Sequence, residues 1–100
     1  MRCCALVLLL ACARVPNVAP ERLAAMREAK DEEAVRTCTL LGRYIGSSTQ
    51  PGDKGLAQAR DEARAKCAAT GATDFFYDKE SLSPDVITVA AKAYDCGAQR

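Results

Sequence analysis

The sequence predicts an α+β fold: a small antiparallel or mixed sheet of three to four strands, one main helix packed on one face, and a disulfide staple. Three observations carry this. Residues 53–70 have helical periodicity and lie among stretches rich in β-branched and aromatic residues. The chain holds six cysteines in 100 residues, and a domain of this size is marginal without a covalent staple. Its first residues carry the marks of an export signal, and export leads to compartments where disulfides form.

Taken in order, Met1-Arg-Cys-Cys-Ala-Leu-Val-Leu-Leu-Leu-Ala-Cys12 has one positive charge, then an apolar run that continues to Ala13. The run is well short of the ~18–20 residues that span a bilayer and fits the apolar region of a secretory signal. Leu9-Leu10-Ala11-Cys12 resembles the bacterial lipobox, although Leu10 is bulkier than that pattern prefers. The resemblance implies a lipoprotein signal over residues 1–11 and lipid attachment at Cys12. Ala13 follows the cysteine where an Asp would signal inner-membrane retention, so the implied home is the outer membrane, with the domain facing the periplasm. Two other readings stay open: an ordinary signal cut after Ala13, since Ala11-x-Ala13 is small-x-small, or an uncleaved, buried segment. A signal this short also fits a start upstream of Met1.

Residues 12–22 carry two prolines and no period, and read as a lipidated tether. Residues 23–100 form the predicted domain. Residues 23–36 allow two readings: a helix, which their Ala, Glu, Arg and Lys favour, or a short strand at 24–29 followed by a helical turn at 31–35. Residues 37–46 read as a strand, and Pro51-Gly52 marks a turn.

The predicted helix at 53–70 has Asp53 to cap its start and Gly71 past its end. Leu56, Ala59, Ala63, Cys67 and Thr70 line one narrow, small-residue face, so the helix should lie close on what it covers. Glu62 and Lys66 stand at i, i+4 on the polar side. Residues 72–78 and 86–96 are further strands around a turn at 81–85. Ile87, Val89, Ala91 and Ala93 are the candidate buried face of the last strand.

Net charge is +1 and there is no His. Arg60 and Arg64 are interleaved with Asp61 and Glu62, which argues against nucleic acid. Without His the chain lacks the commonest general base and metal ligand. No catalytic group, cofactor site or metal site is expected. Asp74, Asp78 and Glu80 read as a solvated strand face, and Tyr44, Phe75, Phe76, Tyr77 and Tyr94 as core and rim.

Once Cys3, Cys4 and Cys12 are assigned to signal and lipid, Cys38, Cys67 and Cys96 remain. If the strands at 37–46 and 86–96 are antiparallel neighbours, Cys38 and Cys96 lie opposite one another within disulfide range. That arrangement would put the last strand between the other two, antiparallel to both. Cys67 sits on the inward helix face, where a buried free thiol, a bond to Cys38 or Cys96, and a reactive thiol all remain open.

Cys38-Thr-Leu-Leu-Gly42, Ala63-Arg-Ala-Lys-Cys-Ala-Ala-Thr-Gly-Ala72 and Ala93-Tyr-Asp-Cys96 together resemble the small bacterial outer-membrane lipoproteins related to RcsF and an allied uncharacterised family. The likeness covers about residues 37–96. It implies a periplasmic α+β domain with structural disulfides on a lipid tether, acting without catalysis as an interaction or sensor-like module. The implied partners are the membrane, through the N-terminal lipid, and another envelope protein. The chain departs from the pattern in its Cys67, where relatives have Ala, and in having too few cysteines for two disulfides. The alternative function is a small secreted or periplasmic redox protein using Cys67.

Overall fold

The computed structural model describes residues 18–97; the signal, Cys12 and most of the tether lie outside them. Helix α1 (Pro20–Ala25) opens with Pro20 in its first turn, where a missing N–H costs nothing. It takes up the last residues of the expected tether. Met26 turns the chain into extended geometry, and strand β1 (Arg27–Glu28) follows. A 3-10 helix (Glu32–Val35) comes next, its start capped by Asp31, whose Oδ1 accepts the Ala34 N–H at 3.0 Å. Residues 23–36 are therefore not one continuous helix. The strand-then-turn alternative describes them better, with a strand shorter than 24–29.

Strand β2 (Thr39–Ser48), helix α2 (Gly52–Ala69), strand β3 (Asp74–Leu82) and strand β4 (Ile87–Asp95) complete the chain. The sheet order is β1-β3-β4-β2. Strand β4 is antiparallel to both neighbours, as a Cys38–Cys96 pairing would require, and β1 adds a fourth strand parallel to β3. Strand β3 runs past the expected end at 78, because Ser81 and Leu82 still pair with Thr88 and Ile87. The reversal is closed by Ser83, whose Oγ donates to the Val86 carbonyl at 2.8 Å.

Helix α2 covers one sheet face. Ala59, Ala63 and Cys67 meet Ile87, Val89, Ala91 and Ala93, all buried, with Phe75 and Met26 in the same core. Three details differ from the sequence reading. Pro51 occupies the N-cap without a side-chain bond, and Asp53 sits inside the first turn, where its charge meets the positive end of the helix. Thr70 is exposed and donates its hydroxyl to the Cys67 carbonyl at 2.6 Å. Ala68 is buried as well, because α1 lies alongside: Arg22 donates to the Ala68 carbonyl and Arg64 to that of Leu23. Gly71 has φ +86°, the left-handed geometry expected after the helix.

On the opposite sheet face, residues 29–38 form a strap over one end. It builds a second small core from Ala29, Val35, Tyr94 and Cys96, with Ala34, Cys38 and Phe76 packed against it.

The close helix approach is set by Gly46 of β2. A Cβ there would fall against the Ala59 carbonyl oxygen and 2.6 Å from the Ala63 nitrogen. Both are backbone atoms of α2 and cannot swing aside. Gly46→Ala is expected to lose about 2–3 kcal/mol, at the upper end of overpacking costs. Urea denaturation reads this. Gly97→Ala is the control: its Cβ would meet nothing within 4 Å, so only the strain of its φ of +64° applies.

Candidate interaction surface

Cys38 closes the strap and Cys96 follows the last strand residue, while Thr39 pairs with Asp95 next door. Antiparallel register therefore brings the two cysteines together, with Cα atoms 4.6 Å apart and S–S 2.08 Å. Cys67 is left as a free thiol with no exposed surface, on the inner face of α2. Burial pushes its thiol from 9.0 up to about 11. At neutral pH it is protonated and enclosed, the opposite of what a reactive cysteine needs. Iodoacetamide at pH 8 is expected to leave Cys67 unmodified in the native protein over hours and to alkylate it within minutes in guanidinium. Mass spectrometry of both samples checks this.

The acids singled out in the sequence do not converge. Asp74 is fully buried, accepts the Thr73 hydroxyl at 2.7 Å and lies 3.4 Å from Arg27. Asp78 pairs with Arg43 at 2.7 Å, and Glu80 accepts from Arg60 Nε at 2.6 Å. The aromatics are core and rim: Phe75 and Tyr94 are buried, and Phe76, Tyr44 and Tyr77 are partly buried. Phe75 and Tyr77 meet edge to face at 5.1 Å, with the Arg64 and Arg60 guanidiniums over their rings. Burial and the nearby Glu28 carboxylate push the Tyr77 phenol from 10.0 up to about 12.

Among the described residues, three open clefts bear on a site. One, about 490 Å³, lies between the start of α2 and the β3–β4 turn, walled by Pro51, Leu56, Leu82, Pro84 and Ile87. One, about 400 Å³, lies beside α1, where Arg22 and Arg27 are already engaged by the Ala68 carbonyl and Asp74. The third, about 370 Å³, runs between the strap and β2. Val35, Cys38, Leu40 and Tyr94 line it, with Glu32, Glu33 and Arg36 at its rim.

The third cleft borders the outer edge of β2. Strand β2 is outermost and presents unpaired backbone groups on its far side. Helix α2 covers half of that edge. The Ser47 N–H donates to Glu62 Oε1 at 2.8 Å, and the Ile45 carbonyl accepts from Lys66 Nζ at 2.7 Å. Glu62 and Lys66 are themselves 3.3 Å apart, the ion pair their spacing predicted. Together they take the place of a neighbouring strand.

Outward groups recur every second residue, so Arg43 is next, and no side chain among the described residues bonds its backbone. Beyond it a bulge leaves Leu41 without a partner on β4. Leu40 and Leu41 are 55% and 37% exposed. Sequence reasoning found the Glu62–Lys66 pair but not its place on the edge, because spacing along a helix does not say which strand lies beneath. Among the described residues no helix is long and apolar enough to cross a membrane.

Compared with known families, with curated proteins and with solved structures, the chain matches none.

Proposed function

We propose that this chain is a lipid-anchored interaction domain of the bacterial cell envelope, without enzymatic activity. Cys12 carries the lipid, the outer membrane holds it, and residues 23–100 face the periplasm, where the domain contacts another envelope component. This follows the resemblance to the lipoproteins related to RcsF. The observation that supports it most is the Cys38–Cys96 bond. A small domain with a disulfide across its last strand suits an oxidising compartment, and the N-terminal pattern would deliver it to one. The buried, protonated Cys67 gives no support to a thiol enzyme.

The test is metabolic labelling with palmitate, together with the intact mass of the mature protein. Label and membrane fractionation are expected in the native protein and should both be lost in Cys12→Ala. Recovery from the cytoplasm with Met1 attached and all thiols free would overturn the reading. Crosslinking in the living cell, followed by affinity capture, then identifies the envelope component.

A further inference from the structure

We propose that the Cys38–Cys96 bond is a redox latch. Its reduction by a protein dithiol frees residues 30–40 from the sheet and uncovers Tyr94 and Phe76, while α2 and the longer strands stay folded. The latch goes beyond the envelope reading and does not depend on the lipid anchor.

The fold separates what the latch holds from what it does not. The core beneath α2 joins Met26, Ala59, Ala63, Cys67 and Phe75 to strand β4, and among the described residues it takes no member from the strap. The strap's own core lies across the sheet and is small: Ala29, Val35, Tyr94 and Cys96, with Ala34, Cys38 and Phe76 against it. Losing the second core leaves the first buried.

The strap is lightly held. At its start the Ala29 N–H donates to the Phe75 carbonyl at 2.7 Å. After that the N–H groups of Ala34, Arg36 and Cys38 donate inside the strap, to the carbonyls of Asp31, Glu33 and Val35. Lys92 ties it to the sheet through Glu32 at 2.8 Å, but the Glu32 side chain is 58% exposed, and such pairs contribute little. Its apolar anchors are Val35 and the small side chains of Ala29 and Ala34. Against them stands the conformational entropy of the whole segment.

The covalent bond acts at the weak end of β2. Thr39 pairs with Asp95 and Leu40 with Tyr94, and then the bulge at Leu41 interrupts the ladder. So short an end frays without a crosslink. Cys96 stays with the sheet when the bond opens, because its N–H donates to the Thr73 hydroxyl at 2.8 Å. Cys38 leaves with the strap, and the bulge serves as the hinge.

The sulfur open to attack is that of Cys38. Cys38 is partly exposed and lines the groove between strap and β2, whereas Cys96 is buried. A thiolate of a Cys-x-x-Cys dithiol protein attacks Cys38 Sγ. The Cys38–Cys96 bond breaks, and Cys96 Sγ leaves with the electron pair and takes a proton from water. The second thiol of the reductant loses its proton and attacks the reductant's own sulfur in the mixed disulfide. Cys38 then leaves as a thiolate and is protonated in turn. The reductant ends as a disulfide, and Cys38 and Cys96 end as two thiols. Cys67 takes no part, being enclosed on the α2 side of the sheet.

The experiment uses the full chain, disulfide intact, in nonionic detergent. Dithiothreitol and, separately, a Cys-x-x-Cys dithiol protein are the reductants, and intact mass reports the reduction. Brief trypsin treatment reads the strap. After reduction, cuts at Lys30 and Arg36 should appear at least tenfold faster, while Arg60, Arg64 and Lys66 of α2 stay uncut and the helical circular dichroism is kept. Oxidation by glutathione disulfide should restore the resistance. Cys67→Ala should respond as the native protein does. Cys38→Ser with Cys96→Ser should be cut at Lys30 and Arg36 with or without dithiol. Reduction should be first order in dithiol, and 1 M urea should speed it less than twofold, whereas attack through global unfolding would gain about fivefold or more.

A strap that stays resistant after complete reduction overturns the proposal. So do cuts in α2 that appear together with those in the strap, a reduction rate that levels off with dithiol and climbs with urea, or an opening that oxidation does not reverse.

Discussion

Breaking the Cys38–Cys96 bond is expected to remove about 4 kcal/mol of stability. The bond closes a loop with a sequence separation of 58. On the chain-entropy estimate, freeing such a loop in the unfolded state is worth about 4 kcal/mol. The strap adds to the effect. Val35 and Tyr94 are buried in a second core that contains Cys96 and packs against Cys38. Without the bond that core rests on a few contacts and one 3-10 turn. A small domain has a total stability on the order of 5–10 kcal/mol, so the loss is a large share of it. Cys38→Ser with Cys96→Ser should lower the melting temperature by about 20 °C. Circular dichroism melts of this variant, and of the native protein with and without a phosphine reductant, read the effect. A shift under 5 °C, equivalent to about 1 kcal/mol, would show that the strap holds without its staple.

Raising the pH above 9 is expected to destabilise the protein steeply, by about 3–4 kcal/mol at pH 11. Two groups are responsible. Burial lifts the Cys67 thiol from 9.0 to about 11 and the Tyr77 phenol from 10.0 to about 12. Both are neutral acids in the folded protein, and their folded values are raised. The unfolded chain therefore loses these protons first. Between pH 9 and 12 the native state binds more protons than the unfolded state, so stability falls as pH rises. Below pH 9 both contributions are fully present, and neither group adds a slope near neutrality. Cys67 enters the window first, being the lower of the two.

Urea midpoints measured from pH 8 to 11 should decline, and Cys67→Ala should flatten the lower part of that decline. Tyr77→Phe should flatten the upper part. It also removes the hydroxyl's 3.3 Å bond to the Arg60 carbonyl, so its neutral-pH stability sets its own baseline. An alkaline slope unchanged in both variants would sink the assignment.

The α+β class and the α2 and β4 cores were readable because each rests on a short-range pattern, whereas the Cys38–Cys96 bond, with a sequence separation of 58, followed only if the first and last long strands were antiparallel neighbours. Ile87, Val89, Ala91 and Ala93 alternate, so any sheet containing them buries that face. Ala59, Ala63 and Cys67 recur at helical spacing and share one side of α2. The sequence was silent where small side chains gave no direction. Residues 23–36 have helical composition, yet β1 forms there because the backbone of β3 offers an edge, with Arg27 opposite Asp74 and Glu28 opposite Phe75. The strap was likewise invisible: Ala29 and Val35 have no common period and are buried only because Tyr94 faces them across the sheet. Asp53 read as a cap from its residue type, but Pro51 took the N-cap position in its place.

Local pattern marked the main helix and the three longer strands, and left open residues 23–36 and the partner of Cys67. Folding in three dimensions settled which groups stay available: the Glu62–Lys66 pair on the edge of β2, the enclosure of Cys67, and the open leucines at 40 and 41. Periodicity along a chain orients side chains about their own element, whereas exposure depends on what other elements cover. That second quantity is fixed by contacts between residues far apart in sequence, such as Lys66 reaching the Ile45 carbonyl.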